Sequence, residues 1–335
     1  MKKILLLTTG GTIASGESGG SLAPVLSSED FLQYVKEFEG KCELHPREVC
    51  SIDSTNMRPE YWQLLVRTIR EAYEEYDAFL ICHGTDTLAY TAAALSYMIQ
   101  ESQKPIVLTG AQKSILSEIT DARKNLHDSI LCALDEKSRG VMVVFDGNII
   151  AGTRAKKTST FSYNAFSSIN FPVLGKVQND AVIYYFEEKE HAGDVRFYEK
   201  LNTRVFLLKL TPGMNEELIP YILEKYDCVI VESFGVGGLP DRLLEVFARE
   251  LEKYPSYAKI LVMATQVTYE GSQMDTYVVG QQAKETMAFL ETYDMTLEAS
   301  LAKLMWILGQ KIRNYGEIER LFYSRINYDI YRAEQ

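Results

Sequence analysis

Seven short, uninterrupted apolar runs separated by longer helical patterns are the strongest constraint on how this 335-residue chain can fold. The runs are KILLLT (3–8), AFLICH (78–83), PIVLTG (105–110), VMVVFD (141–146), RVFLLKL (204–210), CVIVES (228–233) and ILVMAT (260–265). Between them lie EYWQLLVRTIREAYEEY (60–76), TLAYTAAALSYMIQ (87–100), DARKNLHDSILCAL (121–134) and DRLLEVFAREL (241–251), which have helical spacing. Strands rich in Ile, Val and Leu, alternating with helices, predict parallel sheets in α/β layers. On such sheets ligands gather at the carboxyl ends of the strands.

The rhythm breaks once, at EEKEHAGDVRFYEKLNT (187–203), which is charged and has no sustained apolar pattern. The expectation is an N-terminal α/β domain over residues 1–187, a linker over 188–203 and a smaller C-terminal α/β domain over 204–335. The acidic run FEEKE (186–190) reads as a solvated loop. No repeat or low-complexity tract stands out.

Several function classes are disfavoured. The net charge is −11 and there is no basic stripe, so nucleic acid is not an expected partner. No apolar stretch approaches the ~20 residues of a membrane span. The N-terminal MKKILLLTTGGT has an apolar run of four residues, too short for a signal peptide, and predicts a first strand and a cytoplasmic protein. Cys42, Cys50, Cys82, Cys132 and Cys228 are odd in number and lack CxxC spacing, which fits reduced, structural thiols. His45, His83, His127 and His191 are scattered and no metal motif exists, so neither metal nor cofactor is expected. His83 reads as a hydrogen-bonded residue at a strand end, and nothing in the pattern asks for a serine–histidine–aspartate triad.

The chemistry-bearing residues left are hydroxyls and carboxylates at strand ends. TTGGTIASG (8–16) pairs glycines with Thr12; IDSTNM (52–57) offers Ser54 and Thr55 after Asp53; HGTDT (83–87) offers Thr85, Asp86 and Thr87. Adjacent glycines let backbone N–H groups approach a ligand. A threonine becomes a nucleophile when a base removes its proton, and a lysine beside a carboxylate can tune such a hydroxyl. The lysines of GTRAKKTST (152–160) are candidates. Taken singly, each of these threonines and aspartates could equally be a helix cap. GVGG (235–238) misses the dinucleotide-binding spacing and reads as a tight turn.

In combination the segments are specific. TTGGTIAS, IDSTNM, HGTDT, LTGAQ (108–112) and RAKKTS (154–159), in this order, resemble the motif series of the bacterial-type L-asparaginases, a family that includes glutaminase-asparaginases. KLTPG (209–213), ESFGVGG (232–238) and DMTLEASLAKLMWILGQ (294–310) extend the resemblance over nearly the whole chain, which is most similar to the cytoplasmic type I group.

The resemblance implies hydrolysis of the L-asparagine side-chain amide, without a cofactor, by a homodimer or homotetramer. It implies that Thr12 is the primary catalytic threonine and that Thr85, Asp86 and Lys157 form the second catalytic group. It implies that Ser54, with Thr55 beside it, binds the substrate α-carboxylate and that Asp86 binds the α-ammonium. Gly11 and Thr85 would offer N–H groups to the amide oxygen, and the Ala111 carbonyl would face the leaving amide. Leu22, in GGSLAP (19–24), stands where many members carry a loop tyrosine. GVGGLP replaces the asparagine-bearing segment of secreted members, and Glu232 and Lys156 differ from the residues expected at a regulatory asparagine site.

Two other readings stay open. One is an ammonia-releasing subunit of a tRNA-dependent amidotransferase, or a glutaminase-asparaginase of the same fold; such subunits carry an extra N-terminal domain, whereas GGT begins here at residue 10. The other is an amino-acid- or nucleotide-binding α/β protein without catalysis.

Overall fold

The computed structural model describes residues 1–18, 21–24, 26–186, 193–276 and 287–331; along 15–18 and 21–24 only the backbone path is described. The acidic run 187–190, His191 and residues 19–20 therefore lie outside the described residues, as does the Leu22 side chain. The chain divides into two compact units, Met1–Glu199 and Lys200–Gln335.

In the first unit, β1 (Lys2–Gly10) is followed by the hairpin of β2 (Ser15–Ser18) and β3 (Ser21–Pro24), then by β4 (Cys42–Ile52) and helix α1 (Pro59–Ala72). Next come β5 (Ala78–Cys82), α2 (Leu88–Met98), β6 (Ile99–Gln100), β7 (Pro105–Thr109) and α3 (Ala122–Leu134). The unit continues with β8 (Gly140–Phe145), β9 (Asn148–Ala151), β10 (Ala155–Lys157) and β11 (Phe166–Ser168). It ends with β12 (Gly175–Gln178), β13 (Ala181–Tyr184) and β14 (Arg196–Phe197).

Eight of these strands form one sheet in the order β13-β12-β9-β8-β7-β5-β1-β4. The five from β4 to β8 are mutually parallel, as the apolar runs predict. The other three add antiparallel, β9 following β8 and β13 following β12 through tight hairpins. The turns Asp146-Gly147 and Asn179-Asp180 have positive φ at both central residues, which matches the right-handed twist of the flanking strands. A strand at the middle of such a sheet is covered on both faces, and β5 and β7 are buried at every residue. β4, at the sheet edge, contains Pro46 and is mostly half-exposed.

Parallel strands need crossovers, and helices supply them. α1 starts with Pro59, whose missing N–H costs nothing there, and buries Trp62, Leu65, Val66 and Ile69. That spacing forms one apolar stripe, each large side chain contributing about 1.5–3 kcal/mol on burial. α3 packs on β5, β7 and β8, which carries its N-terminus toward the strand ends.

The second unit contains β15 (Val205–Lys209), α4 (Leu218–Lys225), β16 (Cys228–Ser233), α5 (Asp241–Leu251) and β17 (Ile260–Thr265). It ends with β18 (Leu290–Glu291), α6 (Leu297–Gly309) and α7 (Tyr315–Tyr323). Its sheet, β15-β16-β17-β18, is parallel throughout. Val229, Val231, Leu261, Met263, Leu223 and Phe247 lie in its core. The two units are thus both α/β, the second being the smaller. Within the 188–203 stretch, β14 pairs antiparallel with β6 of the first unit. Among the described residues no helix is long and apolar enough to cross a membrane.

Candidate active site

Every residue singled out for catalysis or substrate contact lies in the first unit, at or beyond the carboxyl ends of β1, β4, β5 and β7, or on β10. Three of the loops meet backbone to backbone. Gly11 has φ +80, and a Cβ placed on it would lie 2.4 Å from Gly84 Cα. A Cβ on Gly84 would in turn lie 2.6 Å from both Cβ and Oγ of Ser54. Real Cβ contacts never come so close, so glycine at both positions is what lets GGT, HGTDT and DST share one space. Gly11 N–H donates to Ile52 O at 3.0 Å and Thr87 Oγ1 donates to Ser54 O at 2.8 Å, tying the same three loops with hydrogen bonds.

Within that frame Thr85 is buried and its hydroxyl is bonded on two sides. Lys157 Nζ donates to Thr85 Oγ1 at 2.9 Å, and Thr85 Oγ1 donates to Gln112 Oε1 at 3.3 Å. Lys157 Nζ also lies 2.6 Å from Asp86 Oδ1. Lys157 ends β10, where alternation puts Lys156 on the opposite face. The Gln112 amide is oriented by its neighbours: Nε2 donates to Thr160 O at 2.9 Å and Ser162 O at 3.2 Å, so Oε1 must face Thr85.

Thr12 opens the 3-10 turn that follows Gly11 and is half-buried. The residue after it is tied across the site: Ile115 N donates to Ile13 O at 3.2 Å, joining the loop after β7 to the loop after β1. Ser54 is buried in a 3-10 turn capped by Asp53. Thr55 is exposed, and Asp53 Oδ1 accepts from both its N–H and its hydroxyl at 2.9 Å. Ala111 is buried in the turn after β7.

His83 is fully buried, and burial pushes its pKa down to about 4. One ring nitrogen faces Gly84 O at 2.7 Å and the other Thr91 Oγ1 at 2.9 Å. A carbonyl only accepts, so Nδ1 carries the proton and the ring is neutral. Trp62 Nε1 donates to the same Thr91 hydroxyl at 3.0 Å, which leaves Thr91 to donate to His83 Nε2. The ring is a strut, with no free nitrogen for base catalysis. All five cysteines are unpaired, and burial pushes the Cys82 thiol up to about 12 and Cys50 to about 11, so neither is a ready thiolate. Among the described residues no group of three or more His, Cys, Asp or Glu is placed to hold a metal ion.

Three residues with structural claims on the site went unassigned in the sequence: Gln112, Asp121 and Asn125. The cue for the last two is an Asp and an Asn four apart at the start of a predicted helix. In the second unit the GVGG segment forms a turn closed by a Phe234–Gly238 bridge, and Glu232 is held by Lys209 at 3.2 Å.

Hydroxyl, ammonium and carboxylate bonded in sequence, set against adjoining glycine loops at the ends of parallel strands, define a small polar site. Comparison with known proteins makes the assignment specific. Residues 3–190 match the family described as "Asparaginase, N-terminal", and residues 204–322 match "Glutaminase/Asparaginase C-terminal domain". An L-asparaginase of Thermococcus kodakarensis is 37% identical over 97% of this chain and 98% of its own length. The solved structure of the thermostable L-asparaginase from Thermococcus kodakarensis, 37% identical, superposes with a TM-score of 0.91, covering 99% of this chain and 100% of the other. L-asparaginase I from Vibrio cholerae superposes with a TM-score of 0.87 at 28% identity, covering 99% of each chain. A glutamyl-tRNA(Gln) amidotransferase chain of Methanobrevibacter smithii is 32% identical over 97% of this chain and 76% of its own length. The chain belongs to the asparaginase family.

Proposed function

We propose that this protein is an amidohydrolase that converts L-asparagine to L-aspartate and ammonia. The observation that carries the reading is the line Asp86–Lys157–Thr85, bonded at 2.6 and 2.9 Å, beside the Gly11–Gly84–Ser54 contact. Ser54 and Thr55 take the α-carboxylate, and Asp86 takes the α-ammonium. The N–H groups of Gly11 and Thr85 receive the amide oxygen as it gains charge, the largest electrostatic contribution available to acyl transfer.

Thr12 Oγ1 adds to the amide carbon, and its proton passes to the amide nitrogen. The C–N bond then breaks, ammonia leaves past the Ala111 carbonyl, and a β-aspartyl ester remains on Thr12. Thr85 relays the proton: it takes the proton of the attacking group as it gives its own hydroxyl proton to the leaving nitrogen, and Lys157 stabilises the negative charge that develops on Thr85 Oγ1 between the two transfers. Water attacks the ester by the reverse path, releasing aspartate and restoring Thr12. The reaction needs no cofactor. The protein acts in the cytoplasm as a homodimer or homotetramer.

A second reading, glutamine as the ammonia source, is favoured by the similarity to the glutamyl-tRNA(Gln) amidotransferase of Methanobrevibacter smithii. One assay decides: ammonia release from asparagine and from glutamine over a range of concentrations. Turnover of asparagine with the higher kcat/KM is the expected result. Preference for glutamine supports the second reading, and no ammonia from either amide refutes both.

A further inference from the structure

The turn Gly110-Ala111-Gln112 is gripped from one side by the start of α3. Asn125 Nδ2 donates to Gly110 O at 3.0 Å, while Asn125 Oδ1 accepts from Asp146 N at 2.9 Å. Asp121 Oδ2 accepts from Gln112 N at 2.9 Å, and its Oδ1 accepts from Lys113 N at 3.0 Å. Asn125 Nδ2 also reaches Asp121 Oδ2 at 3.3 Å, so the two side chains act as one clamp. Both residues are buried, at 7% and 1% exposure.

A plain helix cap does not account for this. Asp121 occupies the N-cap position of α3, yet its side chain makes no cap hydrogen bond to the backbone N–H groups of the helix. Thr120 Oγ1 accepts the Ala122 N–H instead, at 3.0 Å. An aspartate at an N-cap ordinarily serves the N–H groups of the following turn. Here both carboxylate oxygens are turned back to the preceding loop. Asn125 likewise directs its amide out of the helix to the end of β7.

The clamp has a geometric consequence. In a trans peptide the N–H and C=O point to opposite sides. The Gln112 N–H points at Asp121, so the carbonyl of the same peptide, that of Ala111, points away from α3. We infer that Asp121 and Asn125 are positioning residues that aim the Ala111 carbonyl at the nitrogen leaving the substrate. The inference rests on the hydrolytic reading above. The carbonyl accepts an N–H from the bound amide and does so more strongly as the nitrogen gains a proton and departs. A leaving group without N–H has nothing to offer it.

That difference supplies the test. Asp121→Asn keeps the shape but turns an NH2 toward one of the two loop N–H groups. Asn125→Ala keeps the carboxylate and frees Gly110 O, so it decides the matter if the first variant does not fold. For both variants and wild type, kcat/KM is measured with L-asparagine and with L-aspartate β-methyl ester, and thermal unfolding is followed in parallel. If the ester is not cleaved, its inhibition constant is the comparison. Misplacing a reacting group by a fraction of an ångström to an ångström costs up to about 100-fold, so the amide reaction falls by about 10–100-fold. The ester value changes less, and the amide-to-ester ratio shifts by about tenfold, the worth of one hydrogen bond. Equal losses on both substrates, or no loss on either, overturn the positioning role while leaving the hydrolase reading intact. A wild type that releases no ammonia refutes the hydrolase reading itself.

Discussion

Replacing Lys157 by methionine separates catalysis from stability in this site. The ammonium holds Thr85 Oγ1 at 2.9 Å and Asp86 Oδ1 at 2.6 Å, while the Lys157 and Asp86 side chains are 20% and 54% exposed. A pair so open to water contributes at most about 1 kcal/mol to folding, and the abandoned Asp86 carboxylate stays hydrated. Methionine keeps the apolar stem, so the unfolding midpoint moves by no more than about 4 °C. Turnover depends on the charge beside Thr85, and a positioned acid–base group is worth roughly 10²–10⁴-fold, or about 3–5 kcal/mol of barrier. Lys157→Met is therefore expected to lower kcat by that factor in a protein that melts almost normally. Lys157→Arg does not rescue, because a planar fork replaces a point charge. Lys156→Met, on the other face of the same short strand, is the control and stays within about tenfold of wild type. Ammonia release under saturating asparagine, with thermal denaturation followed by circular dichroism, measures both quantities. Equal losses of kcat in the two methionine variants, or a Lys157→Met enzyme within about tenfold of wild type, would refute the catalytic role of the Lys157 charge.

Thr12→Ala and Thr85→Val should each fold and lose roughly 10²–10⁴-fold in kcat; near-normal turnover in Thr12→Ala would remove it as the nucleophile. His83, neutral in the fold with a pKa of about 4, makes stability pH-dependent. Its unfolded pKa is about 6.5, so between about pH 6.5 and 4 the unfolded chain binds the extra proton and stability falls as the pH falls, by roughly 3 kcal/mol in all. Denaturant titrations at several pH values should show this loss in wild type, and His83→Gln should remove that part of the slope. In the second unit Lys303 Nζ lies 2.5 Å from Asp329 Oδ2 with both side chains fully buried. Lys303→Met removes the ammonium that faces the buried Asp329 carboxylate and should cost about 3–5 kcal/mol, whereas adding Asp329→Asn, which removes the charge and keeps an acceptor for Ile326 N, should recover part of it; a single variant as stable as the double would contradict this.

The parts of the fold that could be read in advance are those buried on two faces. β5, β7, β16 and β17 are continuous apolar runs because helices or further strands cover both sides. β4 escaped notice for the opposite reason: eleven residues long, it lies at an edge, alternates only weakly and carries a proline. β9, β12 and β13 are strands of four residues each, below the length at which periodicity separates strand from loop. α6 is buried around most of its circumference, so it shows no apolar stripe to recognise, and Lys303 in its middle interrupts the run.

The same physical distinction divides the site. Thr12, Ser54, Thr85, Asp86 and Lys157 stood out in the sequence because the proposed chemistry lies in their side chains, and only a few residue types can replace each. Asp121 and Asn125 did not, because they act on backbone groups, and any acceptor or amide of suitable reach could hold a peptide N–H or carbonyl. Their contribution depends on a partner's place in space, which the local sequence does not record. Gly11 and Gly84 stand between these cases. Each reads as an ordinary turn glycine until its neighbour is known, yet a Cβ on Gly11 would displace the loop bearing Thr85, and a Cβ on Gly84 would displace Ser54. Thr12, Thr85 and Ser54 are therefore positioned relative to one another by two missing methyl groups, and a displacement at either glycine reaches all three loops.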